Sequence, residues 1–94
     1  MAHILIKLSL KDYSAWKPVF DDFGKVRATS GSRGGQLYRL AENSNEVYVL
    51  WQWDSLDNAR KFFASPELRA AMQTAGVNGP PVVYYLDEVE RVTV

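Results

Sequence analysis

The chain has 94 residues, of which 47% are hydrophobic and 13% aromatic, and its 11 basic and 11 acidic side chains give a formal net charge of zero. This composition predicts one globular domain over residues 1–94, and the neutral charge argues against a nucleic-acid or anionic-membrane partner. Cysteine is absent and His3 is the single histidine, which excludes disulfides, thiolate metal sites and paired-histidine metal sites.

The N-terminal residues do not resemble a targeting segment. The sequence runs from Met1 into strand-like residues without a basic head or a small-residue cleavage site. No apolar stretch reaches the length that a membrane-spanning helix requires. We therefore expect a cytoplasmic protein with no membrane partner.

The first strand, over residues 4–10, alternates between two different faces. One face is apolar and consists of Ile4, Ile6, Leu8 and Leu10. The other face is half polar and consists of His3, Leu5, Lys7 and Ser9. The apolar face is predicted to be covered by helices, and the mixed face to remain open.

A helix follows, with Asp12 or Ser14 as its N-terminal cap. Its apolar positions recur at helical spacing and are Trp16, Val19, Phe20, Phe23 and Val26. Because Pro18 has no backbone N–H, we expect an irregular opening turn over residues 13–17. The helix is predicted to end at Ser30-Gly31.

Two strands, over residues 36–41 and 47–53, are predicted to form a hairpin around the polar loop 42–46. The second of these strands carries Val47, Val49, Trp51 and Trp53 on one face and Tyr48 and Leu50 beside Gln52 on the other. A half-exposed strand alternates between apolar and polar residues, so this pattern indicates burial on both faces.

Two short helices and a last strand complete the chain. Ser55 and Ser65 are the predicted N-caps, and the second helix is expected to begin at Pro66 and end at Gly76. The last strand is predicted over residues 82–94. Its outer half exceeds what one small sheet needs, and it could reach across to a second subunit.

The order strand, helix, strand, strand, helix pair, strand predicts a ferredoxin-like βαββαβ α+β fold with a four-stranded antiparallel sheet. Helices in this order cover only one face of the sheet. The open face carries apolar side chains, which predicts that a partner covers it, and a second copy of the chain is the simplest partner. We therefore expect a homodimer with an enclosed space between the two sheets.

Three motifs carry a resemblance to a known family. They are Asp12-Tyr13-x-x-Trp16-Lys17, the run Val-Leu-Trp-Gln-Trp-Asp-Ser over residues 49–55, and the run Ser-Pro-Glu-Leu-Arg-Ala-Ala-Met over residues 65–72. With these motifs, the chain resembles the dimeric α+β barrel superfamily of antibiotic-biosynthesis-monooxygenase-like proteins. The resemblance implies a dimeric barrel, and the superfamily includes cofactor-free monooxygenases, haem-degrading enzymes and small proteins with no assigned activity.

The haem-degrading members differ from this chain at two of three functional positions. Their third-strand Trp matches Trp53, but their iron-ligating His corresponds to Met72. They also carry an Asn on the first strand, and this chain has none between Ala2 and Asp12. A methionine at helical spacing is more often a core residue than a haem ligand, so we expect neither haem degradation nor a cofactor.

An RNA-recognition fold shares the same element order. Its third strand begins with Lys or Arg followed by Gly and carries aromatic residues at fixed spacing, and residues 47–53 do not match that pattern. Together with the neutral net charge, this argues against an RNA partner.

Five residues are candidates for a site on the sheet. His3 is the catalytic candidate, because an unperturbed imidazole titrates near neutral pH and its strand phase directs it toward the open face. Tyr38, Arg39, Trp53 and Tyr85 are the candidates for binding an aromatic substrate. Strand alternation places Tyr38 and Arg39 on opposite faces, so only one of them can line the cavity. Alternatively, His3 is a partly solvated terminal residue and the other side chains fill a core or dimer interface.

Two functional hypotheses follow. In the first, the protein is a homodimeric cavity protein that acts as a cofactor-free monooxygenase on an aromatic or polyketide-like small molecule, without a metal. In the second, it is a non-catalytic small-molecule-binding or accessory dimerisation module. A roomy, polar cavity between the sheets favours the first hypothesis, and a filled, dry interface favours the second.

Overall fold

The computed structural model describes residues 2–94, which follow the order β-α-α-β-β-α-α-β. The strands are β1 (Ala2–Leu10), β2 (Ser32–Leu40), β3 (Asn43–Trp53) and β4 (Val77–Leu86). The helices are α1 (Tyr13–Asp22), α2 (Gly24–Ser30), α3 (Leu56–Phe63) and α4 (Pro66–Ala75). The strands pair in the order β2-β3-β1-β4, and all pairs are antiparallel. The predicted ferredoxin-like α+β fold is confirmed.

The hydrophobic core lies between one face of the sheet and the four helices. The two central strands supply most of it, as predicted, through Ile4, Ile6, Leu8, Leu10, Val47, Val49, Trp51 and Trp53. The helices add Trp16, Ala59, Phe62 and Ala75. Each of these side chains is at most 8% exposed. Their burial is the main source of stability, because apolar area removed from water contributes roughly 25 cal/mol per Å².

The first helical segment differs from the prediction in its opening turn. The Asp12 side chain accepts a hydrogen bond from the Ser14 N–H at 3.2 Å, and the Asn45 side chain accepts one from the Tyr13 N–H at 2.9 Å. These bonds satisfy N–H groups of the first turn, so α1 begins regularly at Tyr13. Pro18 therefore lies inside α1, and the expected irregular turn over residues 13–17 was wrong.

The same segment is not one continuous helix. A break at Phe23 separates α1 from α2 and changes which side chains face the sheet. Val26, predicted to be a core residue, is 43% exposed. Arg27, the next residue, turns inward instead and lies over the rings of Phe20 and Trp51.

The two later helices are as predicted. The Ser55 hydroxyl accepts a hydrogen bond from the Asn58 N–H at 3.1 Å, and the Ser65 hydroxyl accepts one from the Leu68 N–H at 3.3 Å. Helix α4 ends at Gly76, whose φ of 83° is the left-handed conformation that favours glycine at this position. The capping residues are local sequence signals, and they were sufficient to predict where these two helices begin and where α4 ends.

The hairpin and the last strand have different limits from those predicted. Strand β2 begins at Ser32 and β3 at Asn43, and the hairpin turn is confined to residues 41–42. Arg39 pairs with Val47 whereas Leu40 pairs with Asn43, so β3 bulges at this point. Strand β4 ends at Leu86, not at residue 94, and Leu86 pairs with His3 of β1.

The face of the sheet away from the helices is open in a single copy. Three rows of paired residues cross it: Gln36, Leu50, Leu5 and Tyr84; Tyr38, Tyr48, Lys7 and Val82; and Gly34, Gln52, His3 and Leu86. Tyr38 and Tyr84 are more than half exposed, at 54% and 53%. The β3 side chains of this face are half-buried, so one copy of the chain does not bury β3 on both faces.

Candidate binding cavity between the sheet and the helices

A small apolar cavity lies between the helices and the sheet, inside one copy of the chain. Its aromatic lining consists of Trp16, Phe20, Phe23, Trp51, Phe62 and Phe63. The cavity volume is about 50 Å³, which is the space of a few water molecules. The sequence analysis predicted a cavity between the sheets of two copies. The cavity described here lies on the opposite, helix-covered side of the sheet.

The aromatic side chains form a continuous network around the cavity. The ring centroids of Trp16 and Phe20 are 4.6 Å apart, and those of Phe20 and Trp51 are 5.8 Å apart in a stacked arrangement. Further along the network, Trp53 lies 5.0 Å from Phe62. Tilted and offset rings at these separations attract one another in addition to the area they bury, so the lining is held in a fixed arrangement.

Among residues 2–94, Arg27 is the only titratable side chain in the cavity lining. Its guanidinium carbon lies 4.2 Å from the Phe20 ring centroid and 5.0 Å from that of Trp51. Burial lowers the pKa of Arg27 below its ordinary value, while the negative charge of Asp21 acts in the opposite direction. The Asp21 carboxylate is itself bonded to the Lys17 amine at 2.6 Å. The cavity therefore combines aromatic walls with one half-buried cation.

Sequence periodicity missed Arg27. The spacing of apolar residues was extended through residue 26 as though the helix were continuous, which directs Arg27 toward solvent. The available signal was Gly24, since glycine inside a helical pattern weakens the helix by about 1 kcal/mol relative to alanine. Helix α1 ends at Asp22, the break lies at Phe23, and α2 begins at Gly24.

Three of the predicted site residues lie on the helix-covered face, but none lines the cavity. Trp53 is fully buried, and its indole N–H donates to the Ser30 carbonyl at 3.1 Å. Arg39 lies over the Tyr13 ring, with 4.7 Å between the guanidinium carbon and the ring centroid. The guanidinium carbon of Arg60 lies over the Tyr85 ring, 4.6 Å from its centroid.

The other two predicted site residues, His3 and Tyr38, lie on the open face. His3 pairs across the sheet with Gln52 on one side and Leu86 on the other. Its Nδ1 atom is buried and has no hydrogen-bond partner among residues 2–94. The structure therefore does not bring the five predicted residues together, because alternation along the strands divides them between two faces.

Met72, which corresponds to the haem-ligand position of the haem-degrading proteins, lines the cavity and packs against the core. Within the described part of the chain, no group of three or more His, Asp or Glu side chains is placed to hold a metal ion. No helix in residues 2–94 is long and apolar enough to cross a membrane.

Solved structures share this architecture, whereas no protein-family model and no curated protein matches the sequence. A candidate antibiotic biosynthesis monooxygenase from Caulobacter crescentus is 26% identical, with a TM-score of 0.74 over 95% of this chain and 90% of that chain. The cofactor-independent oxygenase SnoaB from Streptomyces nogalater is 13% identical, with a TM-score of 0.78 over 99% of this chain and 97% of that chain. The fold is that of the antibiotic-biosynthesis-monooxygenase-like proteins.

A third match has the same fold and a similar name. It is a candidate antibiotic biosynthesis monooxygenase from Bordetella bronchiseptica, 15% identical, with a TM-score of 0.78 over 95% of this chain and 97% of that chain. These matches cover nearly the whole length of each chain, and they confirm the resemblance that the sequence motifs indicated.

Proposed function

We propose that the protein binds a small aromatic molecule in the cavity between the sheet and the helices and oxidises it with dioxygen, without a metal or an organic cofactor. The aromatic lining of the cavity carries this proposal. Small-molecule sites are mostly apolar and aromatic, with few polar groups, and the lining of this cavity among residues 2–94 has one charged group, Arg27. The shared fold with a cofactor-independent oxygenase supports the same class of reaction.

Binding requires the cavity to widen, because ligand sites usually occupy roughly 300–1,000 Å³. Three side chains, Phe63, Leu68 and Met72, line both the cavity and a second space of about 470 Å³ beside α4 and β4. They therefore form the wall between the two. Met72 has an unbranched, flexible side chain, and its displacement joins the two spaces into one of suitable size.

The reaction needs no external reductant if the substrate supplies the electrons. A naphthol, for example 1-naphthol, loses its hydroxyl proton, and the resulting naphtholate donates electrons to dioxygen. A new C–O bond forms at the ring carbon opposite the hydroxyl, that carbon loses its proton, and the O–O bond breaks. One oxygen atom remains in the 1,4-naphthoquinone product and the other leaves as water, so atoms and electrons balance.

Oxygen uptake with 1-naphthol in the presence of a chelator tests this proposal. We expect quinone formation that carries one atom of isotopically labelled dioxygen. Ala71→Phe should abolish it by filling the cavity, whereas Ala70→Phe, on the exposed side of the same helix, should not. Turnover that depends on a metal, or that Ala71→Phe leaves unchanged in a folded protein, would contradict the proposal.

A non-catalytic binding module is the second candidate, and one observation favours it. Apart from Arg27, the cavity lining among residues 2–94 contains no titratable side chain, so the lining offers no general base. An oxygenase of this kind must therefore take a substrate that ionises easily. If the protein binds 1-naphthol but consumes no oxygen with it, we conclude that it is a non-catalytic binding module.

His3 keeps the proposed acid–base role only for chemistry on the open face. Arg39, Trp53 and Tyr85 keep their proposed substrate contacts on the other face, where each already has a contact within the chain. The five residues cannot act on one molecule in one site. We expect His3→Ala to leave the turnover of the quinone reaction and its pH dependence unchanged, because His3 does not line the cavity, and a change in either would give His3 a part in the mechanism.

A second copy of the chain is the proposed partner of the open sheet face. The face carries apolar and aromatic side chains that a single copy leaves exposed: Tyr38, Val82, Tyr84 and Leu86. Pairing through this face buries them, and the cavity on the helix side stays within each copy. The cytoplasmic location remains a proposal from the sequence.

A further inference from the structure

We infer, resting on the proposed function, that Arg27 makes the cavity selective for aromatic anions. The class of ligand is a flat aromatic ring that bears a carboxylate or an ionised hydroxyl group. The ring lies among Phe20, Trp51 and their neighbours, and the anionic group receives hydrogen bonds from the Arg27 guanidinium.

The orientation of Arg27 leaves its hydrogen-bond donors free. The guanidinium packs against the rings of Phe20 and Trp51, with its carbon 4.2 Å and 5.0 Å from the two centroids. Contact with rings leaves the N–H groups available at the guanidinium edge, where they match the two oxygens of a carboxylate. Within residues 2–94, Arg27 forms no salt bridge and no side-chain hydrogen bond.

The nearby carboxylate does not neutralise Arg27. Asp21 lies close enough to influence the pKa of Arg27, but its oxygen bonds to the Lys17 amine at 2.6 Å on the exposed side of α1. Burial outweighs the influence of Asp21, since the pKa of Arg27 is lowered overall. A half-buried cation in this situation gains more from an incoming anion than an exposed cation does, because water screens it less.

Selection also follows from the rest of the lining. The other side chains around the cavity are apolar or aromatic, so they make the same contacts with a neutral aromatic ligand as with an anionic one. Arg27 is the group that distinguishes the two ligands. Charge-assisted hydrogen bonds are about twice as strong as neutral ones, which predicts at least about a tenfold preference for the anion.

A matched pair of probes tests this inference: 2-naphthoate, which is an anion at neutral pH, and 2-naphthamide, which is neutral and nearly the same shape. Titration calorimetry gives both dissociation constants for the whole protein. We expect at least about tenfold tighter binding of 2-naphthoate to the wild type. Arg27→Met should remove that preference and leave the affinity for 2-naphthamide within about twofold, because the methionine chain still covers Phe20 and Trp51.

Two further variants complete the test. Lys25→Met removes an exposed positive charge from the same helix, and it should leave the preference unchanged. Arg27→Lys keeps the charge without the planar fork, and it should give an intermediate preference. If Arg27→Met does not fold, the test rests on the ratio of the two dissociation constants in the wild type and in Arg27→Lys.

The outcomes separate this inference from the proposed function. Equal binding of both probes by the wild type, or a preference that survives in Arg27→Met, overturns the role of Arg27 and leaves the cavity as an aromatic site. Failure of both probes to bind overturns the proposed function, and the selectivity of Arg27 with it.

Discussion

Gly24 and Gly35 both lack a side chain, but their surroundings predict opposite effects of substitution. A Cβ at Gly24 would lie 3.6 Å from an Arg27 nitrogen, which is ordinary contact, whereas a Cβ at Gly35 would meet the Leu50 carbonyl oxygen of the neighbouring strand. We expect Gly24→Ala to raise the free energy of unfolding by about 0.5–1 kcal/mol, because alanine is the better helix former.

Gly35→Ala should lower the free energy of unfolding by about 2 kcal/mol or more, since the backbone of β3 cannot move aside as a flexible side chain can. Urea denaturation of the two variants beside the wild type provides the measurement. Similar destabilisation by both substitutions would contradict the close approach of β2 to β3 at Gly35.

At the residue scale, the candidate site was harder to predict than the core. The buried side chains of β1 and β3 follow directly from alternation, because every second residue of a strand faces the same side. The inward position of Arg27 does not follow from the apolar periodicity, and Gly24 is the one local sign of the break that produces it. The position of Arg27 depends on where α1 ends, and that depends on how Phe23 and Gly24 pack in the folded chain.

At the scale of elements, α3 and α4 depend on serine caps whose contribution can be measured. Ser55→Ala and Ser65→Ala each remove an acceptor for an N–H of the first helical turn. We expect each substitution to lower the free energy of unfolding by about 1 kcal/mol. Ser14→Ala is the control, because Ser14 is exposed and Asp12 caps α1 instead. Equal effects of all three substitutions would show that the capping bonds contribute little.

The limits of the elements were predictable only where local chemistry sets them. Ser65, Pro66 and Gly76 mark the two ends of α4 within the sequence itself. The end of β4 has no such marker. Leu86, the last residue of the strand, pairs with His3 of β1, so the position of this end is a property of the assembled sheet.

At the scale of the whole molecule, the open face predicts self-association. Leu50 lies on this face between Leu5 and Gln36, so a lysine there would place a charge in the interface between two copies. Light scattering at micromolar concentration should give the mass of two copies for the wild type and of one copy for Leu50→Lys. Leu56→Lys, at the start of α3, should keep the wild-type mass. A wild-type mass of one copy would contradict the dimer.

The most direct test of the binding site is a crystal structure of the protein with 2-naphthoate. We expect the naphthalene ring between the sheet and the helices, in contact with Phe20 and Trp51, with Met72 displaced and the carboxylate on the Arg27 guanidinium. A ligand bound only on the open face, beside His3 and Tyr38, would contradict the assignment of the site to the helix-covered side of the sheet.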